Sequence, residues 1–149
     1  MACIRKRRGE QGFTLIEVLI VIVVVAILAM IVIPRVMAAT RRGKEATVRA
    51  NLKQLRDAIE RFEANTAAWP PALTDVLAAN GAAISADADG RGLSVDRTAY
   101  DGPYVVSPDG NLPKDPFTNA ADWNYNNSTG EVHSSSTLTA IDGSAYSTW

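Results

Sequence analysis

Apolar and polar positions divide the chain into three stretches. From Val18 to Ile33 every residue is apolar, and back to Phe13 only Thr14 and Glu17 interrupt the run. Phe13 to Ile33 therefore has the length a helix needs to span a bilayer, about 20 residues. A core helix of a small domain would carry an apolar stripe instead of being apolar all round. Beyond Pro34 the pattern becomes amphipathic: Val48, Leu52, Leu55, Ile59 and Phe62 recur at helical spacing. Glu45 with Arg49, Lys53 with Asp57, and Asp57 with Arg61 stand four apart, which supports a helix modestly. Trp69-Pro70-Pro71 closes it, with the end expected near Asn65.

The two stretches predict one helix of roughly 50 residues, about 75–80 Å long, with Pro34 and Gly43 as its weak points. The third stretch, residues 69–149, is rich in turn formers. Leu73 to Leu77 predicts a further helical turn or two, and Ala78 to Gly92 a long connection. Tyr104-Val105-Val106, Trp123-Asn124-Tyr125 and Glu131-Val132-His133 read as strands, the last two joined through a turn at residues 126–130. A small antiparallel sheet laid on the Val48–Phe62 stripe closes a core. The expected fold class is α+β.

Composition narrows the chemistry. The chain has 149 residues and a net charge of −1, with no global basic surface to argue for nucleic acid. Arg5, Lys6, Arg7 and Arg8 crowd the N-terminus against Glu10, so removing that segment leaves a distinctly acidic product. The single cysteine, Cys3, would leave with it, and with it any disulfide. One histidine, His133, gives a catalytic triad or imidazole metal site almost no raw material, and an enzyme is not expected. Asp87-Ala88-Asp89-Gly90 fails as an EF-hand loop, because its twelfth position is Thr98. Trp69, Trp123 and Trp149 read as core or sheet packing.

The basic and apolar N-terminus admits several readings. A secretory signal cut near Val36-Met37-Ala38 has the right residue spacing, but a carboxylate interrupts its apolar run and a helical pattern continues through the cut. An uncleaved anchor also fits, although Arg35, Arg41, Arg42 and Lys44 flank the far end as densely as the near one. A twin-arginine signal at Arg7-Arg8 fits poorly. The fourth reading rests on Gly12-Phe13-Thr14-Leu15-Ile16-Glu17, which resembles the processing site of type IV prepilins and type II secretion pseudopilins. The resemblance implies cutting after Gly12 by a prepilin peptidase, N-methylation of Phe13 by the same enzyme, and a pilin-like fold. The organisation it implies is a leader at 1–12, a membrane and assembly helix at 13–34, an amphipathic helix at 35–68, and loops with sheet at 69–149.

Glu17 invites a physical reading. A carboxylate near the end of a membrane helix costs about 1 kcal/mol or more, less at headgroup depth. Cutting before Phe13 creates an ammonium one helical turn away, and methylation keeps its charge. Pairing that amine with Glu17 of a neighbouring subunit gives a stack a fixed stagger and the buried acid a partner. The resemblance also makes Pro34 an assembly residue, the helix being often unwound just before that proline in assembled filaments, here around Ala26–Pro34.

The second half resembles the major pseudopilins of type II secretion: Gly102-Pro103-Tyr104, Leu112-Pro113-Lys114-Asp115-Pro116-Phe117 and Trp123-Asn124-Tyr125 carry the likeness. That group commonly binds calcium in its C-terminal loop, for which Asp115, Asp122, Ser134 and Asp142 are the candidate oxygens. The family's aspartate- and glycine-rich tail is reduced here, and a hydrogen-bonded polar turn is the competing reading. The resemblance implies a single-pass inner-membrane subunit with its globular part in the periplasm, stored in lipid before assembly. It also implies partners: further copies, the peptidase and methyltransferase, an inner-membrane assembly platform and minor pseudopilins. The alternative is a type IV pilus subunit for adhesion, motility or DNA uptake.

Overall fold

The computed structural model describes residues 13–149, and the expected cut site at Gly12 lies outside the described residues. One helix, α1 (Leu15–Thr66), carries the two predicted helical stretches without a break. Pro34 sits inside it, leaving the carbonyl one turn earlier without its usual N–H donor. The chain divides into two compact units, at Met1–Thr40 and Arg41–Trp149.

In the first unit α1 has no buried face. Large apolar side chains from Leu15 to Met37 are exposed on every side, from 49% at Val23 to 85% at Leu15. In the second unit the helix behaves as an ordinary amphipathic element. Val48, Leu52, Leu55, Ile59 and Phe62 are buried, as their spacing predicts. Leu73, Val76, Val105, Leu112, Trp123 and Val132 pack with the first four of these in one core. Each fully buried Leu, Ile or Phe contributes about 1.5–3 kcal/mol. Phe62 belongs to a neighbouring cluster with Ala68, Ala78, Ile84 and Val95. Tyr100 and Tyr104 meet its ring edge-on at 5.6 and 6.1 Å, a favoured aromatic geometry.

The helix ends where the chain chemistry requires. Ala67 takes a left-handed conformation with φ 60°, and its N–H donates to the Glu63 carbonyl at 2.8 Å. Pro70 and Pro71 then prevent continuation. Leu73–Leu77 is a single 3₁₀ turn. The only sheet among the described residues is a hairpin of β1 (Asn124–Asn126) and β2 (Glu131–His133), with Tyr125 opposite Val132. Its turn needs Gly130: φ is 74°, and a Cβ there would lie 2.7 Å from the Trp69 ring.

The predicted strand at residues 104–106 is not formed. The N–H groups of Tyr104 and Val105 both donate to the Val76 carbonyl, at 2.9 and 3.2 Å. Sharing one acceptor anchors the segment to the 3₁₀ turn and leaves no ladder to extend. Val105 is buried and Val106 exposed at 80%, so the alternation that suggested a strand reflects burial without pairing.

Candidate functional site

At the N-terminus of α1, Thr14 acts as the cap. Its carbonyl and its Oγ1 accept from the Glu17 N–H at 3.1 and 3.3 Å. Threonine followed three residues later by glutamate is the capping-box pattern, here with the threonine half formed. Glu17 therefore stands in the first turn, where the positive end of the helix dipole favours a carboxylate. Sequence reading for assembly passed over this local role, although Thr14-x-x-Glu17 signals it. Phe13 is 82% exposed and Glu17 is exposed as well. Beyond them the helix is long and apolar enough to cross a membrane.

In the globular unit, three turns of α1 grip the C-terminal segment. The Arg41 guanidinium donates to the Thr139 carbonyl. Glu45 Oε1 accepts from the Ile141 N–H and from the Tyr146 hydroxyl, both at 2.8 Å, with Arg41 at 3.8 Å. Arg49 pairs with Asp142 at 3.5 Å and lies over the Trp149 ring at 4.2 Å. Burial, with the Glu45 hydrogen bond, raises the Tyr146 phenol above its ordinary value. Spacing of four places residues 41, 45 and 49 on one helix face, yet nothing in the sequence marks the C-terminal segment as their partner.

The four candidate calcium ligands hold separate posts. Asp115 is buried; Oδ1 accepts from the Phe117 N–H at 2.7 Å and Oδ2 from the Ser134 hydroxyl at 2.5 Å. Asp122 accepts from the Thr118 hydroxyl at 2.6 Å, and that bond, with one from Ser135, lowers its pKa. Asp142 accepts from the Ser144 hydroxyl at 2.6 Å and N–H at 2.9 Å, which together lower its pKa. Hydrogen bonds thus join Asp115 to Ser134 and turn the other two elsewhere. Among the described residues no three Asp, Glu, His or Cys side chains gather into a metal-holding group. Of these four side chains only Asp115 and Ser134 are joined directly, while a hard cation takes six to eight convergent oxygens.

The residue that sequence reading most undervalued is Asp89, dismissed with its loop. It is buried and organises the turn after residue 88. Its carboxylate accepts from the N–H groups of Leu93 (2.9 Å), Arg91 (2.9 Å) and Trp69 (3.2 Å), and pairs with the Arg91 guanidinium at 2.7 Å. Burial opposes its charge, but these donors prevail and hold its pKa at about 2. Asp75 does similar work, accepting from the Ala72 N–H and from the N–H and hydroxyl of Ser85.

Comparison with known proteins agrees with the N-terminal pattern. The family model of the prokaryotic N-terminal methylation motif matches residues 7–33. The chain is similar to the type II secretion system core protein G of Pseudomonas aeruginosa, 34% identical over 65 residues, covering 44% of this chain and 46% of that protein. The core protein G of Xanthomonas campestris is 32% identical over 71 residues, 48% of this chain and 50% of the relative. The type IV wide pilus major component PilA4 of Thermus thermophilus is 51% identical over 45 residues, 30% of this chain and 34% of the relative. The matches span half or less of the length of these relatives. No solved structure matches the chain. The likeness is thus to a methylation motif at the N-terminus and, among the relatives, repeatedly to core protein G.

Proposed function

We propose that this chain is a structural subunit of a type II secretion pseudopilus, assembled through its N-terminal helix to drive protein export across the outer membrane. The observation that carries the reading is the first unit of α1. Its stretch from Val18 to Ile33 is apolar on all sides, headed by Phe13 and Glu17, and lies within the methylation motif. Such a surface is satisfied by lipid before assembly and by the same surface of other copies afterwards. A prepilin peptidase cuts after Gly12 and the new Phe13 amine is methylated. That amine then neutralises Glu17 of a neighbour. Residues 13–34 span the inner membrane, residues 35–149 lie in the periplasm, and Pro34 marks the part of the helix that gives way on packing. An assembly platform and minor pseudopilins are the expected partners, with no catalytic role for the chain. The C-terminal turn is held by hydrogen bonds and the grip of Arg41, Glu45 and Arg49, and requires no cation.

The pilus reading has its own support in the 51% identity to a wide pilus component over 45 residues. Deleting the gene distinguishes the two. Loss of secreted proteins from the medium with surface pili intact supports the pseudopilus. Normal secretion with lost pili overturns it.

A further inference from the structure

The pattern Asn-x-Ser/Thr, with x other than proline, occurs twice in the chain. The two occurrences overlap, as Asn126-Asn127-Ser128 and Asn127-Ser128-Thr129. This is the acceptor pattern of N-linked glycosylation, which calls for a surface loop on an exported protein. Both occurrences lie in the turn of the hairpin, between Asn126 at the end of β1 and Glu131 at the start of β2.

The fold treats the two asparagines differently. Asn127 is half-buried, and its amide nitrogen donates to the Pro71 carbonyl at 3.2 Å. Its backbone carbonyl accepts from the Gly90 N–H at 3.1 Å, and a Cβ on Gly90 would collide with its Oδ1. The hydroxyl two places on, that of Thr129, donates to Glu131 at 3.1 Å. Asn127 and Thr129 thus fasten the turn to the segment after α1 and to β2. Asn126 and Ser128, in contrast, are both exposed. Asn126 Oδ1 accepts from the Ser128 N–H at 2.9 Å. Its amide nitrogen and the Ser128 hydroxyl enter no hydrogen bond among the described residues.

An aspartate at 126 would accept the Ser128 N–H equally well. The fold therefore uses the side-chain oxygen of Asn126 and leaves the nitrogen over. It does so at the one of the two asparagines whose following hydroxyl is also left over. The turn that presents them is held from below: the Gly130 N–H donates to the Asn126 carbonyl at 2.8 Å.

We propose that Asn126 is an N-glycosylation site, taking an oligosaccharide from a polyprenyl diphosphate carrier through a membrane-bound transferase. In the transfer, Asn126 Nδ2 bonds to C1 of the first sugar as the bond from C1 to the diphosphate oxygen breaks. The lipid diphosphate leaves with the electron pair, the amide gives one proton to a base of the transferase, and nothing is oxidised or reduced. Asn127 cannot take this role without releasing Pro71. The proposal rests on the periplasmic reading above and adds to it a covalent modification of the globular unit.

The test is peptide mass spectrometry of the full chain isolated from membranes of its own host. Cleavage after Lys114 and Glu131 gives residues 115–131, which carry both asparagines. Electron-transfer fragmentation is expected to place a sugar adduct on Asn126 and to find Asn127 bare. The adduct should vanish in Asn126→Gln and in Ser128→Ala, and persist in Asn127→Gln and in Thr129→Ala. Melting temperatures verify the folding of each variant. Three results overturn the proposal and leave the filament reading standing. They are a bare Asn126 in a wild-type chain cut after Gly12, an adduct on Asn127, and an adduct that survives Asn126→Gln, as a sugar on a hydroxyl would. A bare chain whose globular unit is shielded from protease added to spheroplasts overturns both.

Discussion

The two parts of α1 obey the same backbone rules and answer different environments. Up to Thr40 the helix buries nothing within its own chain, and from Val18 to Ile33 it is apolar on every side. From Arg41 it carries one apolar stripe, and Val48, Leu55 and Phe62 on that stripe are fully buried. The contrast separates two kinds of information. The second part encodes a fold the chain completes alone. The first encodes contacts that lipid or other copies must supply, so its substitutions should alter assembly without altering the stability of the globular unit.

That separation is most open to attack at Glu17. Changing Glu17→Val should leave cutting and membrane insertion intact but reduce filaments at least about tenfold, the factor that ~1.4 kcal/mol of lost pairing represents. Normal filament yield would remove the charge-pairing model. In the second part, Phe62→Ala should destabilise the globular unit by about 3–5 kcal/mol in chemical denaturation. Val24→Ala should leave that unfolding curve unmoved, and a shared loss would erase the distinction between the two parts.

How far these parts were legible in the sequence follows from the range of their interactions. The unbroken apolar run and the spacing of Val48, Leu52, Leu55, Ile59 and Phe62 are local patterns, and both were realised. The hairpin was legible because Asn126 to Gly130 gives a turn between two short β-prone runs. The segment Tyr104 to Val106 misled, since alternation of burial looks the same whether a strand pairs or merely anchors to Val76. Least legible were the contacts of irregular loops. Glu45 meets Tyr146 across a separation of 101 residues, and no periodicity announces such a pair. Asp89 looked like one loop aspartate among many until the Trp69 N–H was brought to it. At the N-terminal end, the expectation for Gly12 and Phe13 rests on resemblance, whereas the cap of Thr14 on Glu17 is written in the Thr14-x-x-Glu17 spacing and forms as that spacing signals.

Smaller effects sharpen the picture of the globular unit. The Asp89 pKa is depressed from 3.8 to about 2, so its charge stabilises the fold fully above about pH 4. That stability is lost as pH falls through the folded value. Asp89→Asn should cost roughly 1–3 kcal/mol at neutral pH and flatten the acid limb of the stability profile between those values. An unchanged limb would assign the acid sensitivity to other carboxylates. The smallest expected effect is that of calcium. With Asp115 bonded to Ser134 and Asp142 to Ser144 and Arg49, adding calcium or chelating it should not move the melting temperature. A rise with calcium would require these side chains to rearrange around the ion.

The pseudopilin reading depends above all on a new N-terminus, because cutting after Gly12 supplies the amine that Glu17 is proposed to meet. Intact-mass and N-terminal peptide mass spectrometry of the chain from membranes tests this directly, beside a Gly12→Leu variant. The expected result is a wild-type chain beginning at methylated Phe13 and a variant that keeps its leader. A wild-type chain that retains residues 1–12, or one that begins beyond Ala38, would contradict it.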